Sequence, residues 1–431
     1  MSLLTPPKEV LEIAAKLRDN AFEVWCVGGA VRDALLGHSH LDWDLATSAT
    51  PPQVMRLFKR TVPVGLAFGT VGVLDRHGRM HEVTTFRHDV KTDGRHAEVQ
   101  FGASLDEDLA RRDFTINAIA YDPQTGELRD PYRGRMHLGQ GLICCVGDAE
   151  QRMKEDRLRA LRALRFAARF GFAIDPATWK AICNSAPHLG RLSAERVKQE
   201  IEKTMEQVAR PSAAFARWRE AGALGALVKH LDEAPGERFA ALDYLPMPGL
   251  AGRPQRKVLR LAMLFFGDDR RAAEPALKTL KFSNADTAWI VRLGDARARL
   301  GAAVDAAMQR SGGATDAELR RWAADAGRTA AASWWRLNAA LWSARRAAGG
   351  AAPSASAVRR THRRLVRIAY RDPMAIADLQ VDGEDLVAAG VPRGPEIGHT
   401  LKRLREVVID DPTANRRETL LALAVERQKK P

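Results

Sequence analysis

The chain has 431 residues, with 67 Lys and Arg against 53 Asp and Glu and a formal net charge of +14. That length exceeds one ordinary domain core, and so basic a chain is drawn to a polyanion, nucleic acid above all. Four cysteines without CxxC spacing speak against a zinc site or a disulfide framework. No apolar run is long enough to span a membrane, and MSLLTPPKEV lacks signal-peptide features, so a cytoplasmic protein is expected.

Residues 8–20 carry a helical apolar repeat. A short strand over 23–27 runs into Gly28 and Gly29, and a helix, AVRDALLG, ends at Gly37. LDWDLATS (41–48) alternates as a strand. Strands at 70–75 and 80–87 flank a polar turn, and the charged stretch 88–108 reads as a long mobile loop. Helix returns over 107–120, with another strand near 127–130. From Asp148 the pattern is helical throughout. DAEQRMKEDRLRALRALRFAARF (148–170) reads as one uninterrupted amphipathic helix, and WKAICNSA and SAERVKQEIEKTMEQVA follow in the same style. Pro187, Pro211 and 244–255 mark helix ends and a candidate boundary. Trp322, Trp334, Trp335 and Trp342 sit in apolar helical surroundings and read as core, and 345–358 reads as a flexible linker.

The chemistry-bearing signal is residues 28–45. Asp42 and Asp44 are one residue apart on the expected strand, so both carboxylates share a face and can share divalent cations. Gly28 and Gly29 let backbone approach phosphate, the following helix start favours anions, and Arg32 adds a charged donor toward a triphosphate. Asn117 falls one helical turn beyond Asp113, toward the same pocket.

GGAVRDALLG followed by DWD resembles the signature of class II CCA-adding tRNA nucleotidyltransferases and their bacterial poly(A) polymerase relatives, in the DNA polymerase beta superfamily. HEVTTFR (81–87), EDLARRDFTINAIAYDP (107–123) and KEDRLRALRALRF (154–166) resemble further motifs of that family in the same order. The resemblance implies an α+β fold: a small mixed-sheet nucleotidyltransferase head (1–146), then an all-helical neck (147–210), body (211–344) and tRNA-binding tail (359–431). It implies Mg²⁺ on Asp42 and Asp44, with Glu82 as a third acidic residue, and nucleotide binding by Gly28, Gly29, Arg32 and Asp33. Arg112 and Asp113 would recognise the ribose 2′-hydroxyl, together with Asn117. Glu155, Asp156, Arg159, Arg162 and Arg165 would select the base, Asp156 accepting from an exocyclic amine and Arg159 donating to the ring edge. AERVKQE (194–200) resembles a neck-bracing motif, and DPYRGRMHL (130–138) a connector in which His137 stands where the family pattern has an acidic residue.

The implied activity is addition of CCA to the 3′ acceptor end of tRNA from CTP and ATP, with no protein partner and no membrane. The alternatives are an A-adding-only enzyme, a poly(A) polymerase and an inactive RNA-binding relative. In the glycine-bearing segment 379–408 a phosphate site and a helix–turn–helix joint remain equal readings. Removing a metal carboxylate separates enzyme from inactive relative: Asp42→Ala should slow RNA extension on the order of a thousandfold. Extension at the parent rate would refute the metal assignment.

Overall fold

A computed structural model describes residues 4–38, 42–92, 97–248 and 254–425. The chain forms two compact units, Met1–Thr204 with Ala213–Lys229, and Met205–Ser212 with His230–Pro431.

The first unit opens with α1 (Lys8–Asp19), which buries Val10, Ile13, Ala14 and Leu17, the stripe that a 3.6-residue period aligns. β1 (Val24–Val27) is buried throughout and leads into α2 (Gly29–Leu35). β2 (Asp44–Thr47), α3 (Pro51–Leu57), β3 (Thr61–Gly65), β4 (Thr70–Leu74) and β5 (Met80–Thr85) follow. After β6 (Arg87–Thr92), β7 (Ala97–Phe101) and α4 (Leu105–Ala110) come β8 (Ala120–Tyr121) and β9 (Leu128–Arg129). Seven strands make one mixed sheet in the order β3-β4-β5-β2-β1-β8-β9, in which only the β2–β5 pair is parallel. Register puts Val27 opposite Asp44 and Leu45 beside Val83, so the end of β1, the start of β2 and the middle of β5 converge.

The helical part of this unit comprises α5 (Gly134–Gln140), α6 (Ala149–Glu155), α7 (Leu158–Phe170), α8 (Pro176–Ser185) and α9 (Ala194–Gln207), the last running into the second unit. A two-stranded parallel piece, β10 (Leu142–Ile143) with β11 (Ala173–Ile174), joins them.

Four expectations change. The stretch 88–108 is not an open loop, because β6 and β7 pair antiparallel, Arg87 opposite Phe101, before α4 begins. A DG pair between alternating residues was the available hairpin signal. The helix expected over 107–120 ends at Ala110. The Asp113 carboxylate accepts the Phe114 amide, Phe114 bridges to Cys145, and only a short 3₁₀ turn, Thr115–Asn117, follows. The single helix expected over 148–170 is broken at Asp156, whose backbone is extended (φ −148°, ψ 103°) and whose side chain accepts the Leu158 amide. Half of the expected linker 345–358 is helix: Ala331–Ala347 and Ala355–Arg371 leave 348–354 between them.

In the second unit Trp322, Trp334, Trp335 and Trp342 are buried together, as core. Segment 379–408 is a helix–turn–helix joint. Asp382 caps Gly383–Ala388, Pro395 opens the next helix, and Leu386, Leu404 and Val408 pack between them. Arg260 is fully buried and has no carboxylate ion-pair partner among the described residues. It donates instead to the carbonyls of Met205, Val208, Ala209 and Leu245, and burial pushes its guanidinium down to about 10. Three of those carbonyls close the C-terminal end of α9, where a cation is favoured. Arg260→Met keeps the apolar stem but strands these acceptors, and should destabilise the chain by about 2–4 kcal/mol in denaturant unfolding.

Candidate active site

Gly28 has φ +75°, a left-handed conformation that a side chain resists. A Cβ there would stand 3.1 Å from Nη1 of Arg112, so the missing side chain makes the gap between β1 and that guanidinium. Across β1, Asp44 begins β2, and the parallel pairing with β5 sets Glu82 next to it. Burial, then the charge of Glu82 and, against the opposing Arg112, that of Asp42, push the Asp44 carboxyl up to about 6. Asp42 lies just before the strand; its side chain is 92% exposed and meets Arg79 at 2.7 Å. The sequence expectation of both carboxylates on one strand therefore changes in detail: Asp44 is the first residue of β2 and Asp42 precedes the strand.

Three acidic residues crowd a site where one carboxylate resists ionisation. That is an environment which stabilises a bound cation, and carboxylate oxygens are the hard donors that Mg²⁺-type ions take. Among the described residues no three His, Cys, Asp or Glu side chains close into a metal-binding set. Asp42 and Asp44 thus fit a cation completed by substrate phosphates and water.

The remaining candidates lie on a chain of buried polar contacts. Arg32 was expected to face a triphosphate, but it turns inward: Nε donates to Asp33 at 2.7 Å and Nη1 to Asn117 at 2.6 Å. Its guanidinium lies 5.0 Å from the Phe166 ring and 4.8 Å from that of Phe170. Burial holds Arg32 below its ordinary value although Asp33 opposes this. Asp33 also receives Arg169 from α7 at 2.8 Å. Asn117 donates to Asp113, which also accepts the Phe114 amide and Arg162 at 2.7 Å. Burial works against the ionised Asp113, and Arg162, Asn117 and the amide outweigh it, so its carboxyl is held low. The position of Arg32 follows from sterics: α2 is short, its face toward α7 is buried, and Phe166 and Phe170, one turn apart, offer two rings to a cation.

On the other candidate face, Arg112 pairs with buried Asp108 at 2.9 Å, and its Nε has no hydrogen-bond partner among the described residues. Asp156 pairs with Arg196 at 2.7 Å, and Arg165 with Glu200 at 2.7 Å, so the neck motif braces α7. Arg159 donates to Glu155 and to the carbonyls of Arg152 and Arg111. The break at Asp156 means these side chains do not share one helix stripe: Glu155 closes α6, and Arg159, Arg162 and Arg165 ride α7. His137 Nδ1 lies 2.9 Å from Thr115 Oγ1, beside Gly134, where a Cβ would come 2.2 Å from the Thr115 carbonyl. α5 is therefore seated directly on the turn that carries Asn117.

Residues 24–144 match the family described as Poly A polymerase head domain, and 171–234 match a probable RNA and SrmB-binding site of polymerase A. The CCA-adding enzyme of Geobacillus kaustophilus is 34% identical over 438 aligned positions, which span 99% of this chain and 98% of that protein. The chain belongs to the CCA-adding enzyme family. The crystal structure of the Bacillus stearothermophilus CCA-adding enzyme in complex with CTP is 32% identical with a TM-score of 0.74, covering 98% of this chain and 97% of that one. The Thermotoga maritima CCA-adding enzyme, solved in complex with tRNA, shares the fold at 20% identity, with a TM-score of 0.65 and coverage of 98% and 97%.

For this CCA-adding family member, sequence reading missed Arg79, Asp108, Arg169 and the Phe166–Phe170 pair. The spacing of Phe166 and Phe170 on a helix hinted at that pair, and Asp108 lies within four residues of Arg111 and Arg112; the pairs of Arg79 with Asp42 and of Arg169 with Asp33 join residues far apart in the chain. The raised Asp44 carboxyl has a measurable sign. Between the ordinary Asp value of about 3.9 and about 6, the folded state holds a proton that the unfolded chain lacks, so stability falls as pH rises across that window. Asp44→Asn should therefore raise the Tm at pH 7.5 by on the order of 3 °C without divalent cations. It should also abolish the further rise that a divalent cation gives the parent. Equal cation-induced shifts in both proteins would show that Asp44 is not a ligand.

Proposed function

We propose that the chain adds CMP, CMP and AMP to the 3′ end of tRNA from CTP and ATP, releasing pyrophosphate, with Mg²⁺ and in the cytoplasm. The observation that carries this reading is the 34% identity to a CCA-adding enzyme over 99% of the chain. The convergence of Asp44, Glu82, Gly28 and Arg112 where the central strand β1 ends and β2 begins supports it.

Asp42 and Asp44 would hold Mg²⁺, which when bound activates the RNA 3′ hydroxyl and offsets charge on the triphosphate. The chain's own groups do the rest. The bare backbone at Gly28 admits phosphate oxygens to the amides opening α2 and to Arg112. Asp113, held ionised by Arg162 and Asn117, accepts from the ribose hydroxyl when Arg162 shares its carboxylate. Asp156 exchanges Arg196 for the exocyclic amine of C or A, and Arg159 donates to the adjacent ring acceptor. G and U present the reverse pattern and would leave these partly buried groups unpaired, which is a strong basis for rejection. Arg32 acts one step back, fixing Asn117 and Asp33 rather than touching phosphate.

The test uses the full chain, Mg²⁺ and a tRNA transcript lacking its CCA end, with products resolved to one nucleotide. CTP alone should give two additions, and a third should require ATP. Long tails from ATP alone would make the protein a poly(A) polymerase. One A, added only to tRNA already ending in CC, would make it an A-adding enzyme.

A further inference from the structure

Among the described residues, the Asp42 carboxylate meets one side chain, that of Arg79, whose Nη2 lies 2.7 Å from its Oδ1. Arg79 closes the turn between β4 and β5, and that turn is fastened from within. Asp75 Oδ1 accepts the amides of His77 and Arg79 at 2.8 and 2.9 Å, and the Asp75 amide donates to the Arg79 carbonyl. Asp75 Oδ2 lies 3.1 Å from Nε2 of His81, and both of those side chains are buried. Gly78 bends the chain at φ +81°. A buried pair therefore fixes the backbone at Arg79, while its side chain, exposed to solvent, remains free to move. Glu82 follows three residues later on β5.

An exposed ion pair is worth little, so Arg79 holds Asp42 loosely. A guanidinium and a divalent cation cannot both claim that carboxylate in full. Once Asp42 gives its oxygens to a cation, the guanidinium is released, and its fixed backbone keeps it beside the phosphates that complete the cation's shell. The other arginines near these phosphates are committed: Arg32 turns inward to Asp33 and Asn117, and Arg112 pairs with Asp108. Negative charge gathers on the β- and γ-phosphates as the bond to the α-phosphate breaks, and a guanidinium fork meets two phosphate oxygens at once.

We propose that Arg79 is an exchanging counterion: it neutralises Asp42 until a divalent cation takes that carboxylate, then moves to the β- and γ-phosphates and stabilises the departing pyrophosphate. A purely structural pair fits less well, because Asp75 and His81 already close the turn without it. The proposal rests on the reading of the reaction as nucleotidyl transfer that releases pyrophosphate.

The test compares the full chain with Arg79→Gln, Arg79→Lys and, as a control, Arg76→Gln, which removes an exposed charge of the same turn that pairs with Glu9 instead. Mn²⁺ binding is measured without nucleotide by electron paramagnetic resonance, and binding of magnesium pyrophosphate by calorimetry. Arg79→Gln should bind Mn²⁺ about threefold tighter, because no resident cation has to leave. The same variant should bind magnesium pyrophosphate about tenfold more weakly, having lost a charge-assisted bond. Arg79→Lys should stay within about threefold of the parent in both assays, since it keeps the charge and loses only the fork. Its Tm, and that of Arg79→Gln, should match the parent's without cations. An unchanged or weaker Mn²⁺ affinity in Arg79→Gln would overturn the counterion, and an unchanged pyrophosphate affinity would overturn the exchange. Equal shifts in Arg76→Gln would reduce both effects to the net charge of the turn and overturn the assignment to Arg79. A parent that binds Mn²⁺ and pyrophosphate but extends no RNA would sink the functional reading instead, while the two binding assays still decide the role of Arg79.

Discussion

A guanidinium cannot lose its charge, so once Arg32 is buried every surrounding group must answer it. Asp33 and Asn117 take its N–H groups, and Phe166 and Phe170 cover its faces. Those partners are themselves committed: Asp33 to Arg169, and Asn117 to Asp113, which holds Arg162. One buried cation thereby couples the helix after the double glycine, the turn after Arg112 and two turns of α7. The ribose-facing candidates Asp113 and Asn117, with Arg162 of the base-facing set, are positioned through this network and not by their own local helices.

The same logic runs in reverse where β1 ends and β2 begins. There carboxylates are crowded with too little positive charge, and the Asp44 carboxyl rises to about 6. The inner network is nearly neutral and fully bonded, so it is rigid. The outer cluster is short of cations, so it is receptive. Rigidity beside unmet charge is the arrangement that a metal-dependent phosphoryl-type transfer requires, because the site need not reorganise as charge develops.

Much of the site was legible along the chain. Gly28, Gly29, Asp42 and Asp44 lie within one local strand–helix–strand unit, and their chemistry follows from residue type and spacing. The ribbon of β6 and β7 carried a DG signal that charge and polarity obscured. The break at Asp156 was hidden because its flanks, Glu155 and Leu158, both continue a helical apolar period, while a single side-chain-to-amide bond ends it. Arg32 read as a phosphate donor because its position one turn into a helix permits that; only Phe166 and Phe170, more than a hundred residues away, turn it inward.

The sequence by itself determined the class of fold, the order of motifs and the identity of the acidic pair, since these depend on local periodicity and residue chemistry. Tertiary structure decided which charges are buried, which carboxylate stays protonated longest and which arginines meet which carboxylates. Burial and ion pairing join residues distant in the chain, and their energies depend on solvent exclusion, which no local spacing encodes.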